Sequence, residues 1–342
     1  MPLRPTRRST RCLTAALAVI FGCLFALPGC GNAPTEDTSA DKASGGGYTI
    51  ASTIGMVSDL VTQVAGDRAT VNNIIGTGVD PHLYSPTRSD VSKLMEADVI
   101  FYNGLLLEGK MTDTLIRAGT AGKKVFAVTE LLDSEFLLDD EEGLNDPHVW
   151  MDPTAWAKAV EVIRDKLTEY DPAGAEVYTA NAAAAIAKLT ALDTYAETVL
   201  TSVPESSRVL ITAHDAFNYF GQRFGYEVMG IQGLSTESEA GVRDIERMVS
   251  LLVKRDIKAV FVESTVSQDN IKALIEGAKA QGHTVTIGGE LFSDAMGEPG
   301  TYEGTYVGMI DHNVTTIAKA LGGKVPDGGM QHKLSDPHLH DH

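Results

Sequence analysis

One stretch of the sequence restricts the architecture more than any other. From Ala173 to Leu200 the chain holds no proline, and Gly174 is its single glycine. Pro172 stands where a first-turn proline is tolerated. Tyr178, Ala182, Ile186, Leu189, Leu192, Ala196 and Val199 recur every three or four residues, the stripe of a helix with one apolar face. Roughly 27 residues at 1.5 Å each make a rod of about 40 Å, long enough to run along two lobes. Two shorter helices with a bend near Asn181 are the alternative. A single rod in place of connecting strands or glycines implies little domain closure.

On either side of that segment, strands and helices alternate. Before it, the pattern predicts strands at 48–54, 70–75, 99–102 and 124–128, with helices at 56–65, 88–97 and 106–117. After it, short apolar strands are expected at 209–212, 227–231, 259–262 and 284–287, and helices at 216–224, 240–254, 267–280 and 305–321. Strand–helix alternation predicts parallel sheets covered on both faces. The expected fold class is therefore α/β, with two lobes of helix-flanked parallel sheet joined by one long rigid helix. The expected boundaries are 48–171 for the first lobe, 172–202 for the linking helix and 203–325 for the second lobe. A low aromatic content of 6% agrees with this class better than with an all-β sandwich.

The beginning of the chain is different material. Arg4, Arg7, Arg8 and Arg11 precede an uncharged apolar run from Leu13 to Leu27, too short to span a bilayer comfortably but suited to export. The run ends Ala26-Leu27-Pro28-Gly29-Cys30, small residues before a cysteine, as in a bacterial lipobox. Residues 1–29 are read as a signal peptide and Cys30 as the lipid-bearing residue. A plain signal peptide with a chance cysteine is the alternative. Residues 30–47, rich in Ser, Thr, Asp and Gly, form the expected tether. Cleavage removes four arginines and no acid, moving the net charge from −18 to −22. So acidic a chain repels phosphate backbones, and no nucleic-acid partner is expected. Cys12 and Cys23 leave with the signal, so metal ligands in the body must come from His, Asp and Glu.

Nine histidines are present, and two of them occur in the same tripeptide, Asp80-Pro81-His82 and Asp146-Pro147-His148. Proline fixes its own φ and holds the preceding residue extended, which presents each histidine from a stiff loop. The aspartate two residues back is placed to accept from the imidazole and set its tautomer, although Asp-Pro is also ordinary turn chemistry. His214 ends the apolar run from Val209, at the carboxyl end of a strand, where open α/β sheets bind ligands. Asp294 follows the strand at 284–287 after a short glycine-bearing loop. Three imidazoles and a carboxylate suit a divalent ion of borderline softness, zinc or manganese.

Four segments resemble the metal-ligand loops of the zinc/manganese ABC-importer binding proteins, the cluster A-I or TroA-like family. They are Gly78–Thr87, Asn145–Pro153, Thr212–Phe220 and Leu291–Gly297, the last continuing to Gly304-Thr305-Tyr306. They follow in order along a resemblance running from Tyr48 to Leu321. The resemblance implies two α/β lobes with the ion in the cleft between them. It carries ligand roles to His82, His148, His214 and Asp294, with bound Mn2+ or Zn2+ as the cargo and no catalytic cofactor. It also implies a membrane permease and an ATPase as partners, and an exported, lipid-anchored, monomeric chain. Zinc-specific members often have a long histidine-rich loop before the second ligand. Here 138–143 is short, acidic and free of histidine, which leaves both metals open.

Other residues have plainer readings. Glu263, at a strand end, is read first as a solvated carboxylate and second as support for a ligand or a displaced ligand itself. Ser235 or Thr236 is expected to cap the following helix. His283 and His312 are read as structural. Residues 326–342 form an expected disordered tail, whose His332, His338, His340 and His342 either collect metal weakly or have no role. A surface adhesin and a zinc hydrolase are the rival functions. The sequence lacks the His-Glu-x-x-His pattern of many zinc hydrolases, and the chain is read as a non-enzyme.

Overall fold

The computed structural model describes residues 47–139 and 143–334. The expected signal, Cys30 and nearly all of the tether lie outside them, as do His338, His340 and His342. Among the described residues no helix is long and apolar enough to cross a membrane.

The first lobe is built on a four-stranded parallel sheet, order β2-β1-β3-β4, from β1 (Tyr48–Ser52), β2 (Ala69–Asn73), β3 (Val99–Tyr102) and β4 (Lys124–Ala127). Its helices are α1 (Gly55–Ala65), α2 (Arg88–Glu96) and α3 (Thr112–Thr120). Thr87 and Asp90 cap α2 reciprocally, which stops it running back into the loop that carries His82. The helix expected from Leu106 begins only at Thr112. Its first turn is lost because the buried Glu108 carboxylate accepts from the Thr53 hydroxyl at 2.6 Å and from the Asn103 and Gly104 N–H groups at 2.8 and 3.1 Å. Wrapping the backbone round that carboxylate puts Leu105 and Leu106 at φ of 52° and 64°.

One helix was not anticipated. α4 (Pro153–Tyr170) starts where Asp152 accepts from the Thr154 N–H at 2.7 Å and Pro153 takes the first helical position. It packs on α5 (Ala175–Thr201), the expected rod, which a short turn at Pro172–Gly174 precedes. The rod is continuous through Asn181, whose side chain donates to Val64 O at the end of α1 (3.1 Å). Its 27 residues span about 40 Å and touch both lobes. Lys188 reaches Gln63 of α1, and Tyr195 meets Thr315 of the last helix.

The second lobe holds two parallel pairs, β5 (Val209–His214) with β6 (Glu227–Gln232) and β7 (Ala259–Glu263) with β8 (Thr286–Leu291), β5 lying beside β7. Its helices are α6 (Asn218–Phe224), α7 (Val242–Arg255), α8 (Asp269–Ala280) and α9 (Tyr306–Ala320). The glycines expected in a loop before Asp294 instead lie within β8. A Cβ on Gly288 would meet the Phe261 ring at 2.8 Å and Ala320 at 2.9 Å, and one on Gly289 would meet Thr316 at 2.4 Å. Their absent side chains let α9 press onto the strand.

One apolar core runs through the first lobe, α4, α5 and α9, and takes in Leu210, Phe217 and Phe220 of the second lobe. A second fills the space around β5, β7, α7 and α8. Opening a core shared across the lobes would expose packed apolar surface. The expected disorder from 326 onward is corrected for residues 326–334. The buried Asp311 carboxylate accepts from the Met330 N–H at 2.9 Å and the Tyr302 hydroxyl at 2.9 Å, and His332 bonds Asp327 O at 2.6 Å. A buried carboxylate that needs donors recruits the segment.

Candidate metal centre

The four predicted residues come together at the carboxyl ends of strands from both lobes. His82 lies in the loop after β2, and His148 in the long connection that follows β4. His214 is the last residue of β5, and Asp294 lies three residues beyond β8. Each offers one ligand atom within 4.8 Å of all the others. His82 Nε2 lies 3.4 Å from His148 Nε2 and 3.7 Å from Asp294 Oδ2. His148 Nε2 lies 3.4 Å from Asp294 Oδ1, and His214 Nε2 3.2 Å from Asp294 Oδ2. Bonds of about 2.0–2.2 Å to a tetrahedral ion separate ligand atoms by about 3.3–3.6 Å, and the four distances above, from 3.2 to 3.7 Å, lie close to that range. Exposure is 4% for His82, 2% for Asp294 and zero for His148 and His214, so bulk water does not reach the group.

The far side of each ring is arranged differently. His148 Nδ1 meets Asp146 Oδ1 at 2.7 Å, and the same oxygen takes the His148 N–H at 2.9 Å. The Asp-Pro-His tripeptide thus does here what its spacing predicts. Asn218 donates to Asp146 Oδ2 at 3.1 Å, and the Tyr219 hydroxyl donates to Asp146 O at 3.0 Å. In the other copy, Asp80 Oδ1 accepts the His82 N–H at 2.8 Å, holding the backbone rather than the ring.

Glu263 corrects the sequence reading. It is buried, and its carboxylate takes the His214 N–H at 2.9 Å and meets His214 Nδ1 at 2.5 Å. Its place at the end of β7, beside β5, was the available signal. Exposure statistics for glutamate hid it. Asn103, whose amide donates to Pro147 O at 3.0 Å, and the Glu108 carboxylate that shapes its loop carried no such signal. Trp150 stacks edge-on against His148 with ring centroids 5.2 Å apart and donates to Ser293 O at 2.9 Å. It thereby ties the His148 loop to the Asp294 loop. His283 and His312 bond Ile257 O and Glu290 O, at 2.7 and 2.9 Å, away from the centre.

These surroundings set the charge of each group. Burial pushes His82 down to about 4. Burial acts the same way on His148, but Asp146 and Asp294 outweigh it and raise that ring to about 9. Glu263 and Asp294 likewise overcome burial at His214 and hold it well above the ordinary histidine value. Burial alone would raise Asp294, yet the His214 and His148 imidazoles keep it well below the usual carboxylate range. Even so, both Asp294 oxygens and His214 Nε2 are buried without a hydrogen-bond partner. A carboxylate left without hydrogen bonds in a dry site is costly, and a cation beside Asp294 would satisfy both of its oxygens.

Residues 50–320 match the family described as zinc-uptake complex component A, periplasmic (ZnuA). The manganese-binding lipoprotein MntA of Bacillus subtilis is 45% identical over 306 residues, 89% of this chain and 98% of that protein. The structure of the periplasmic zinc-binding protein TroA from Treponema pallidum superposes with a TM-score of 0.78 at 42% identity, covering 81% of this chain and 99% of TroA. That of Fe(III)-bound YtgA from Chlamydia trachomatis gives 0.74 at 30% identity, over 82% and 99%. With matches of this extent, the chain belongs to the ZnuA family of periplasmic metal-uptake components.

Proposed function

We propose that this chain is the solute-binding component of a metal ABC importer. It captures one Mn2+ or Zn2+ outside the cytoplasmic membrane with His82, His148, His214 and Asp294. It then delivers the ion to a permease driven by an ATPase, while a lipid on Cys30 keeps it at the membrane. The observation that carries this reading is the buried Asp294 carboxylate, whose two unbonded oxygens face three imidazole Nε2 atoms. Its relatives named for manganese and zinc support the same reading. One Asp294 oxygen with three nitrogens makes a four-coordinate zinc site, and both oxygens make the higher coordination that manganese accepts. Zinc binds such donors more tightly, so supply in the envelope decides which ion is carried. A hydrolase needs an open position for water, and four enclosed ligands favour holding an ion over turning over a substrate.

Equilibrium dialysis followed by elemental analysis tests the assignment. The parent chain is expected to retain one ion, and the double variant His82→Ala, His148→Ala none. A parent chain without metal, or equal content in the variant, sinks it. The support given by Glu263 is testable separately. Glu263→Gln keeps the shape but removes the charge facing His214 Nδ1, and affinity is expected to fall about 10–100-fold. Titration against a chelator of known affinity reads the change.

A further inference from the structure

Ser235 or Thr236 was expected to cap the following helix, and neither does. α7 begins at Val242 and is capped through Gly241 and Asp244. Thr236 is buried, and its hydroxyl donates across the cleft to Asp80 Oδ2 at 2.5 Å. The other Asp80 oxygen accepts the His82 N–H. One carboxylate therefore joins a side chain of the second lobe to the backbone of a ligand residue in the first. The segment around Thr236 is braced from within, Gln232 donating to Ser238 O at 3.2 Å and the Glu237 N–H to Ser235 Oγ at 3.2 Å. Beside it, Lys110 and Glu237 approach to 3.9 Å across the same cleft. That pair is exposed, and screening leaves it little strength.

The other ligands are fastened differently. Behind His148, Trp150 donates to Ser293 O, the Tyr306 hydroxyl donates to Trp150 O at 2.7 Å, and Tyr219 donates to Asp146 O. His214 is held within its own lobe by Glu263. Those ties lie among apolar core residues. The His82 loop, in contrast, runs along the rim, with Gly76, Gly78, Leu83 and Ser85 exposed. Within it, Val79 and Tyr84 are the half-buried apolar side chains that rest against the shared core.

We propose that Thr236 is a positioning residue for His82, and that breaking its bond to Asp80 frees the His82 loop and sets the rate at which the ion leaves. This rests on the metal-capture reading above. The full chain is loaded with Zn2+, mixed with an excess of a colorimetric chelator, and release is followed by stopped flow. Thr236→Val keeps the side-chain shape without the donor, and Thr236→Ser keeps the donor with less packing. Release from the valine variant is expected about tenfold faster, as for loss of a buried hydrogen bond to a charged acceptor, with loading stoichiometry unchanged. The serine variant is expected to release at close to the parental rate. Parental release from the valine variant overturns the proposal, as does equal acceleration by both variants, which would assign the effect to packing. A parent chain that takes up no Zn2+ overturns the metal-capture reading itself, a result separable from either of these.

Discussion

Asp294→Asn is expected to lower metal affinity by at least about two orders of magnitude while leaving the fold intact. Asp294 is the one anionic member of the four, and it faces all three imidazole Nε2 atoms. An asparagine fills the same space but brings no charge, and its amide nitrogen cannot ligate. Removing one partner from a buried charge cluster costs about 3–5 kcal/mol, and 1.4 kcal/mol corresponds to about tenfold in affinity. Competition with a chelator, for Zn2+ and Mn2+ separately, measures the loss, and circular dichroism checks the fold. Parent-like affinity in this variant would remove Asp294 from the ligand set. The loss should be larger for manganese if both oxygens bind it, because an amide offers one oxygen.

Metal binding is also expected to expel about two protons per ion, so that apparent affinity rises by up to about two decades per pH unit through neutrality. His148 and His214 are each flanked by carboxylates on both ring nitrogens and hold their protons well above the ordinary range in the metal-free site. His82, with Asp294 at 3.7 Å on one side, is lowered to about 4 and is already neutral. The ion must therefore displace the protons of the first two rings. Two protons leave as one divalent ion enters, and the net charge of the buried cluster stays constant. Calorimetry in buffers of different ionisation enthalpy counts the protons. A pH-independent affinity across neutrality would contradict the charge assignment.

The same groups predict opposite pH trends for the two forms of the protein. The folded pKa of His148, about 9, lies above the ordinary 6.5. Its contribution to metal-free stability is fully present below about 6.5 and is lost as pH rises through about 9. His82 has the reverse shift. Its contribution is lost on acidification from 6.5 through about 4, because the unfolded chain takes up a proton that the folded chain refuses. Between pH 6.5 and 9 the metal-free Tm should fall and the metal-loaded Tm should rise. Thermal scans with and without the ion read both.

Much of this was legible in the sequence because it is encoded locally. The α5 stripe needs only its own spacing, and the structure keeps it as one rod, with Ala185 joining the buried face and Ile186 shifting to its edge. The strand–helix alternation led directly to parallel sheets, and the duplicated Asp-Pro-His singled out two histidines. The Glu108 turn and the two glycines inside β8 were not legible in the same way, because each answers to a neighbour distant in sequence, the Thr53 hydroxyl and the surface of α9. α4 had local signals in its cap Asp152 and in Pro153, and the sequence reading passed over them.

The functional site divides along the same line. The sequence by itself singled out His82 and His148 as candidate donors through the duplicated Asp-Pro-His, left no thiolate in the body, and reached His214 and Asp294 through their strand ends and the family resemblance. Only the tertiary structure decided what stands behind each ligand. It made Asp146 a partner of the His148 ring and Asp80, at the same spacing, a link from the His82 backbone to Thr236. It also turned Glu263 from an expected surface acid into the buried partner of His214. The physical reason is range. Backbone preferences and side-chain periodicity act within a few residues of the chain, whereas burial and charge pairing depend on which strands and loops lie side by side once the lobes have packed.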